Sequence, residues 1–164
     1  MLQTVILAPV PCVHLHSASQ VPGLCDRVAF GSNQKGVPDL PIGARVFIYA
    51  SDPQTASREA LRLHRPGYAS WTGHLGSIVS AVKGGRRDGK HPDSSMRPPT
   101  AEAGDSHFMY FWEVLDLKPL NPRRFLSDFA GTPAKGGVPK WPARAELEFT
   151  EEQWARGIRD TDEA

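Results

Sequence analysis

The run G-A-R-V-F-I-Y-A-S-D-P at residues 43–53, followed after a polar interval by G-Y-A-S-W-T-G-H-L-G-S-I-V-S-A-V at residues 67–82, decides the fold class. Val46, Phe47, Ile48, Tyr49 and Ala50 form a β-prone apolar run entered through Pro41 and Gly43, and this predicts a strand over Leu40 to Ser51. Asp52 followed by Pro53 predicts a helix start, with Asp as N-cap and Pro in the first turn. Ala56, Ala60, Leu61 and Leu63 interleave with Arg58, Arg62 and Arg65 to make that helix amphipathic and basic outside, and Pro66-Gly67 ends it. Small and β-branched residues from Leu75 to Val82 predict the next strand. Between helix and strand, Tyr68, Trp71 and His74 stand among residues that permit sharp turns, so an aromatic elbow that presents its rings is expected.

Working outward, Val5, Ile6 and Leu7 lie in a short run bounded by Pro9 and Pro11, which predicts a buried strand over Leu2 to Val10. His107 to Leu117 alternates, with Phe108, Tyr110, Trp112 and Val114 on one face and Met109, Phe111, Glu113 and Leu115 on the other. Gln20 to Arg27 reads as an irregular or weakly helical link. Asn121-Pro122 predicts a short helix through Phe129 closed by Gly131, and Ala145 to Phe149 predicts a closing strand. Thr150 with Gln153 fits a capping box for a helix over 151–158, before an acidic end. Residues 84–106 are rich in Gly, Pro and Ser and predict a long mobile loop. With 164 residues and no internal repeat, the chain is read as a single domain, 1–164.

The formal net charge of +1 conceals an uneven distribution. Residues 118–144 hold six Lys/Arg against Asp128 alone, whereas residues 145–164 hold seven Asp/Glu against Arg156 and Arg159. Such asymmetry allows a basic face for phosphates beside an acidic tail; ordinary solvated surfaces have the same composition. Cys12 and Cys25 form neither a disulfide framework nor a Cys-x-x-Cys metal pair, so a reducing cytoplasm is expected. The N-terminal run lacks the basic start and long apolar core of a signal peptide, and no apolar run is long enough to span a bilayer, so no membrane partner is expected.

The sequence contains no G-x-S-x-G elbow, no P-loop, no G-x-G-x-x-G after the first strand and no H-E-x-x-H, and the chain is not read as an enzyme. Glu113, Asp116 and His74 are the acid/base residues that a small hydrolase of modified nucleosides or RNA would use, and the acidic tail is the contact that a protein-interaction module would use. His14 and His16, two apart, would point the same way on a strand but lack a third metal ligand; no metal and no cofactor is expected. The remaining pattern is one of binding. Ser32, Asn33, Gln34 and Lys35 follow Phe30 in a Gly-bounded loop; its amides offer the donors and acceptors that read a base edge, although the same residues make plain turns. Tyr68, Trp71 and Trp141 supply aromatic surface, and Lys83, Arg86, Arg87 and Lys90 cluster where a phosphate backbone would be gripped.

The order of these elements, with L-P-I-G-A-R-V-F-I-Y-A-S (40–51), G-H-L-G-S-I-V-S-A-V (73–82), the long loop and F-M-Y-F-W-E-V-L-D-L-K-P-L (108–120), resembles the PUA-like superfamily, particularly its EVE and SRA-like modified-base-binding branches. The resemblance runs from the first strand to Phe149. It implies an α+β fold, a bent β-barrel with flanking short helices, whose pocket takes a nucleobase swung out of its stack. Carried over by position, Phe30, Ser32, Asn33, Gln34, Tyr49, Ser51, Trp71 and His74 would face the pocket, and Lys35, Lys83, Arg86, Arg87 and Lys90 would hold phosphates. The implied partner is nucleic acid, DNA before RNA, with methylated cytosine as the first ligand and the output coming from a separate effector protein, from occlusion of DNA or from a regulatory role. Ala44 stands where the strand entry usually carries Asp. The G-x-K-x-x-E-x-R signature of the ASCH branch is missing, which argues against the RNA-processing amidohydrolase activity of that branch.

Overall fold

Val5, Ile6 and Leu7 are all buried, and a strand can bury consecutive residues only when both of its faces are covered. In the computed structural model, which describes residues 2–83, 86–87, 90–103, 108–130, 141–142 and 144–148, that strand is β1 (Leu2–Pro11). It pairs in parallel with β3 (Arg45–Ser51) and antiparallel with β9 (Arg144–Glu148). Across β3 lies the long β4 (Tyr68–Ser80), then β7 (Tyr110–Phe125), then β2 (Arg27–Ser32). β8 (Phe129–Ala130) completes a mixed sheet in the order β2-β7-β4-β3-β1-β9-β8.

The sheet curls. Three strands separate β1 from β2, yet Val10 and Pro11 of one and Ala29 to Gly31 of the other line a single cavity. The result is a half-barrel carrying a few short helices, a small α+β barrel-like fold. Register shifts in β4 between Ala69 and Trp71, Thr72 and His74, and Leu75 and Ile78 supply the bending, because each irregularity kinks the strand and adds twist. Inside the curl, Ile6, Ala8 and Val10 meet Val46, Ile48, Trp71, Leu75, Trp112 and Val114. Outside it, Val5, Leu7 and Phe47 are covered by Leu120, Leu126 and Phe129 as the chain leaves β7.

Several expectations are corrected. Residues 68–76 form no elbow; they are strand, and Gly73 and Gly76 serve close approach instead of a turn. A Cβ on Gly73 would lie 2.6 Å from Val114 Cγ1 and 2.8 Å from the Leu115 carbonyl oxygen, a backbone atom that cannot step aside. Gly73→Ala is expected to cost about 1–3 kcal/mol by overpacking, read as a lower denaturant midpoint at unchanged slope. Phe30 to Ser32 belong to β2, paired with Trp112 to Tyr110, so the polar loop begins only at Asn33. Asp52 has φ 51 and starts a single 3-10 turn at Pro53–Thr55. The helix after it, α2 (Arg58–Leu63), is capped by Ser57, whose Oγ accepts from the Ala60 amide at 3.1 Å. Asn121-Pro122 opens no helix, since β7 continues to Phe125 opposite Tyr68.

Two segments are more ordered than their composition foretells. Residues 12–19 form α1 (Cys12–Ser19), with Cys12, Leu15 and Ala18 buried at three-residue spacing. Within 84–106, expected as a mobile loop, β6 (Arg86–Arg87) pairs with β5 (Val82–Lys83), and α3 (Pro99–Ala103) packs on α1. His91 and Met96 between them are buried, Met96 against Ala29, Ala81 and Phe111. The expected strand at 145–149 is β9; the expected helix at 151–158 and the acidic end lie outside the described residues. Among the described residues no helix is long and apolar enough to cross a membrane.

Candidate functional site

The curl leaves a seam between β1 and β2, and the seam is filled from outside by residues 90–101. Between them lies a cavity of about 60 Å³, several times the ~10–15 Å³ that one water needs. Its walls are aromatic. Phe30 stands on β2 with its ring 5.3 Å from that of Trp112, Phe111 comes from β7, and Phe108 packs edge-on to Phe111 at 5.8 Å. The Phe108 ring rests on Gly31, where a Cβ would come within 2.8 Å of its Cε2. Gly31 therefore admits that wall.

The polar groups of the cavity are His14, Lys90, His91 and Arg97. His14 Nδ1 meets Thr100 Oγ1 at 2.6 Å, and Ser17 Oγ meets the same hydroxyl at 2.8 Å, so α3 is fastened to α1 beside the opening. Burial pushes the His14 pKa down, which keeps the imidazole neutral at neutral pH. His91 Nδ1 accepts from the Asp93 amide at 3.0 Å; its ring proton therefore sits on Nε2 and is donated to Glu113 Oε2 at 2.9 Å. Arg97 Nε donates to the His91 carbonyl at 2.7 Å. Glu113 receives Arg27 on its other oxygen, Nη2 at 2.9 Å and Nε at 3.3 Å. With both oxygens engaged and the residue 2% exposed, Glu113 is a post for this wall and not a surface acid. Asp116 and His74, the other acid/base residues of the hydrolase reading, are both exposed, Asp116 at a left-handed position with φ 53.

Of the residues expected at a base pocket or its phosphate rim, Phe30 and Lys90 line this cavity. Ser32 is buried, and its Oγ accepts from the Gln34 amide at 3.2 Å and from Trp141 Nε1 at 3.3 Å. Asn33 Oδ1 accepts from the Met109 amide at 2.9 Å, so this side chain holds the chain before β7 instead of reading a ligand edge. Gln34 and Lys35 are exposed on the loop beyond. Tyr49 is half-buried against the outer cluster, Ser51 ends β3, and His74 is exposed in mid-strand. Trp71 is 9% exposed within the inner core, which corrects the expectation of a presented ring. Lys83, Arg86 and Arg87 lie on the β5–β6 hairpin, where Lys83 pairs with Arg86 in register, a few residues ahead of Lys90.

Trp71 belongs to a second polar chain. Its Nε1 donates to His64 Nδ1 at 2.7 Å, and His64 Nε2 stands 3.0 Å from His16 Nδ1. Indole only donates, so His64 carries its proton on Nε2 and hands it to His16. On a strand His14 and His16 would have shared a side; α1 turns them about 200° apart, one to the cavity and one to His64. Among the described residues no group of three or more His, Cys, Asp or Glu is placed to hold a metal ion.

The signal for His14 and His91 is absent from local pattern, because each reaches the cavity through an interaction made far along the chain, with Thr100 and Glu113, and Arg97 follows through the His91 carbonyl. Phe108 and Phe111 are visible as strand aromatics, but not as walls. In comparison with known proteins, no family model matches the chain and no curated protein is found similar to it.

Proposed function

We propose that the chain is a nucleic-acid-binding domain that takes one modified base, methylated cytosine in DNA as the first candidate, into the cavity between β1 and β2. The observation that carries the reading is the aromatic seam itself: three phenylalanine rings, with Lys90, Arg97 and His14 among them. Apolar walls suit a planar ring bearing a methyl group, and the N–H groups of Lys90 and Arg97 suit its carbonyl edge. The hairpin with Lys83, Arg86 and Arg87 leads into Lys90 and would run along the phosphates. Extruding a base from duplex costs a few kcal/mol, which stacking and edge hydrogen bonds must offset. The resemblance of residues 40–51, 73–82 and 108–120 to sequence segments of the PUA-like superfamily points the same way. The free cysteines, one buried and one half-buried, accord with a reducing compartment, for which we take the cytoplasm. With no catalytic group assigned, the output would pass through a partner protein.

The test is binding to matched methylated and unmethylated DNA duplexes and to RNA at fixed salt. Phe108→Ala is expected to remove most discrimination between methylated and unmethylated DNA while leaving the fold intact, since Phe108 is only half-buried. Arg86→Ala is expected to weaken every nucleic acid alike and to lower the salt slope by about one. Equal, salt-labile affinity of the unaltered protein for all three ligands would remove the base-reading function.

A further inference from the structure

Away from the cavity, where β4 begins and β7 ends, the surface carries aromatic rings and uncompensated positive charge. Tyr68 and Phe125 pair across the two strands with ring centroids 4.7 Å apart, and Phe125 is 55% exposed. The Arg65 guanidinium lies over Tyr68, 5.2 Å from the ring centroid. Arg123 Nη2 donates to the carbonyls of Arg62 and Leu63 at 3.1 and 3.2 Å, which brings the end of β7 against the end of α2. Arg58, Arg62, Arg65 and Arg123 are exposed, and among the described residues none of them is paired with a carboxylate. The charge is felt inward: Arg123 is one of the causes, after burial and His16, that push the His64 pKa down. Arg65 stands over Tyr68, Arg123 lies two residues before Phe125 against the end of α2, and Phe125 keeps more than half of its surface exposed despite its contact with Tyr68, so the face offers both positive charge and an open ring to an anionic partner.

We propose that this face binds single-stranded nucleic acid, with Phe125 as a platform for one base and Arg62, Arg65 and Arg123 along the phosphates. A polyanion with flat rings satisfies both halves of the surface, whereas an acidic protein segment would satisfy only the charge. The inference rests on the nucleic-acid reading above but concerns a different surface, one that contributes affinity without distinguishing a modified base.

The experiment compares a short oligothymidylate with an abasic oligomer of the same length, by fluorescence anisotropy over a salt series. Phe125→Leu keeps the surface apolar and folded; it is expected to weaken oligothymidylate about five- to 150-fold, the range set by loss of one base–aromatic stack, and to leave the abasic oligomer unchanged. Phe125→Tyr should restore binding. Arg62→Gln with Arg65→Gln should weaken both oligomers and flatten the salt slope by about 0.7 for each phosphate no longer neutralised. Modified and unmodified duplexes should lose equally in Phe125→Leu. Binding that depends on the arginines but not on Phe125 would overturn the platform, leaving a merely electrostatic surface or a site for an acidic protein. If Phe125→Leu is neutral while Phe108→Ala abolishes discrimination, this inference fails and the cavity reading stands; an unaltered protein that binds neither oligomer also ends this inference and leaves the cavity to the duplex assay above.

Discussion

Glu113→Ala should lower the free energy of unfolding by about 3–5 kcal/mol, because it removes one partner of a buried charged network and strands the rest. Glu113 joins three parts of the fold at once. It stands on β7, receives Arg27 from the neighbouring β2, and receives His91 from the segment that closes the cavity. Arg27 has a half-exposed side chain, so its guanidinium can return to water; His91 is buried and cannot. The larger share of the loss therefore comes from the His91 N–H left without an acceptor in a wall that Arg97 and Met96 also need. Glu113→Gln keeps one carbonyl oxygen and should cost less, about 1–2 kcal/mol. Urea unfolding gives both numbers. Hydrogen exchange locates them, with faster exchange expected from 90 to 97 in both variants. A general acid or base in an open site would behave oppositely, since its replacement by Gln leaves stability untouched; unchanged urea midpoints in both variants would show that Glu113 does not hold this wall.

That post is visible in the sequence only as an alternating residue on an aromatic strand. The strands themselves are legible where burial is decided locally: Val46 to Ala50, Val5 to Leu7 and the alternation after Tyr110 all pair as strands. What escapes a local reading is set by distant partners. Gly73 and Gly76 resemble turn glycines in a window of ten residues, but their lack of a side chain answers to Val114 and Leu115. Phe30 to Ser32 look like the start of a polar loop until β7 offers them a ladder. Asn121-Pro122 resembles a helix entry, and the Tyr68–Phe125 pairing overrides it. The cavity follows the same rule: Phe30 and Lys90 stand out in their own segments, whereas His14, His91 and Arg97 arrive there through Thr100, Glu113 and a backbone carbonyl.

Trp71→Ala should cost about 3–5 kcal/mol as a core truncation, and Trp71→Phe separates that packing from the hydrogen bond. Phe keeps most of the ring within the inner core but leaves His64 Nδ1 without its donor, a loss of about 1–2 kcal/mol at neutral pH. The pH dependence tells the two effects apart. Burial, then the neighbouring His16 and Arg123, hold the His64 pKa down at about 4, below the ordinary value of 6.5. Between those values the unfolded chain binds a proton that the folded chain refuses. The stabilising contribution is thus complete above pH 6.5 and is lost as pH falls towards 4, to a limit of roughly 3 kcal/mol. The Trp71 N–H opposes protonation in addition, since a proton on Nδ1 would set two donors face to face. In Trp71→Phe that position is free to take the proton, so the folded pKa should rise and the acid limb should flatten. The gap between the two proteins should then be widest at pH 7 and narrow at pH 4, measured as urea midpoints across the range; a gap constant with pH would mean that Trp71 serves His64 by packing alone.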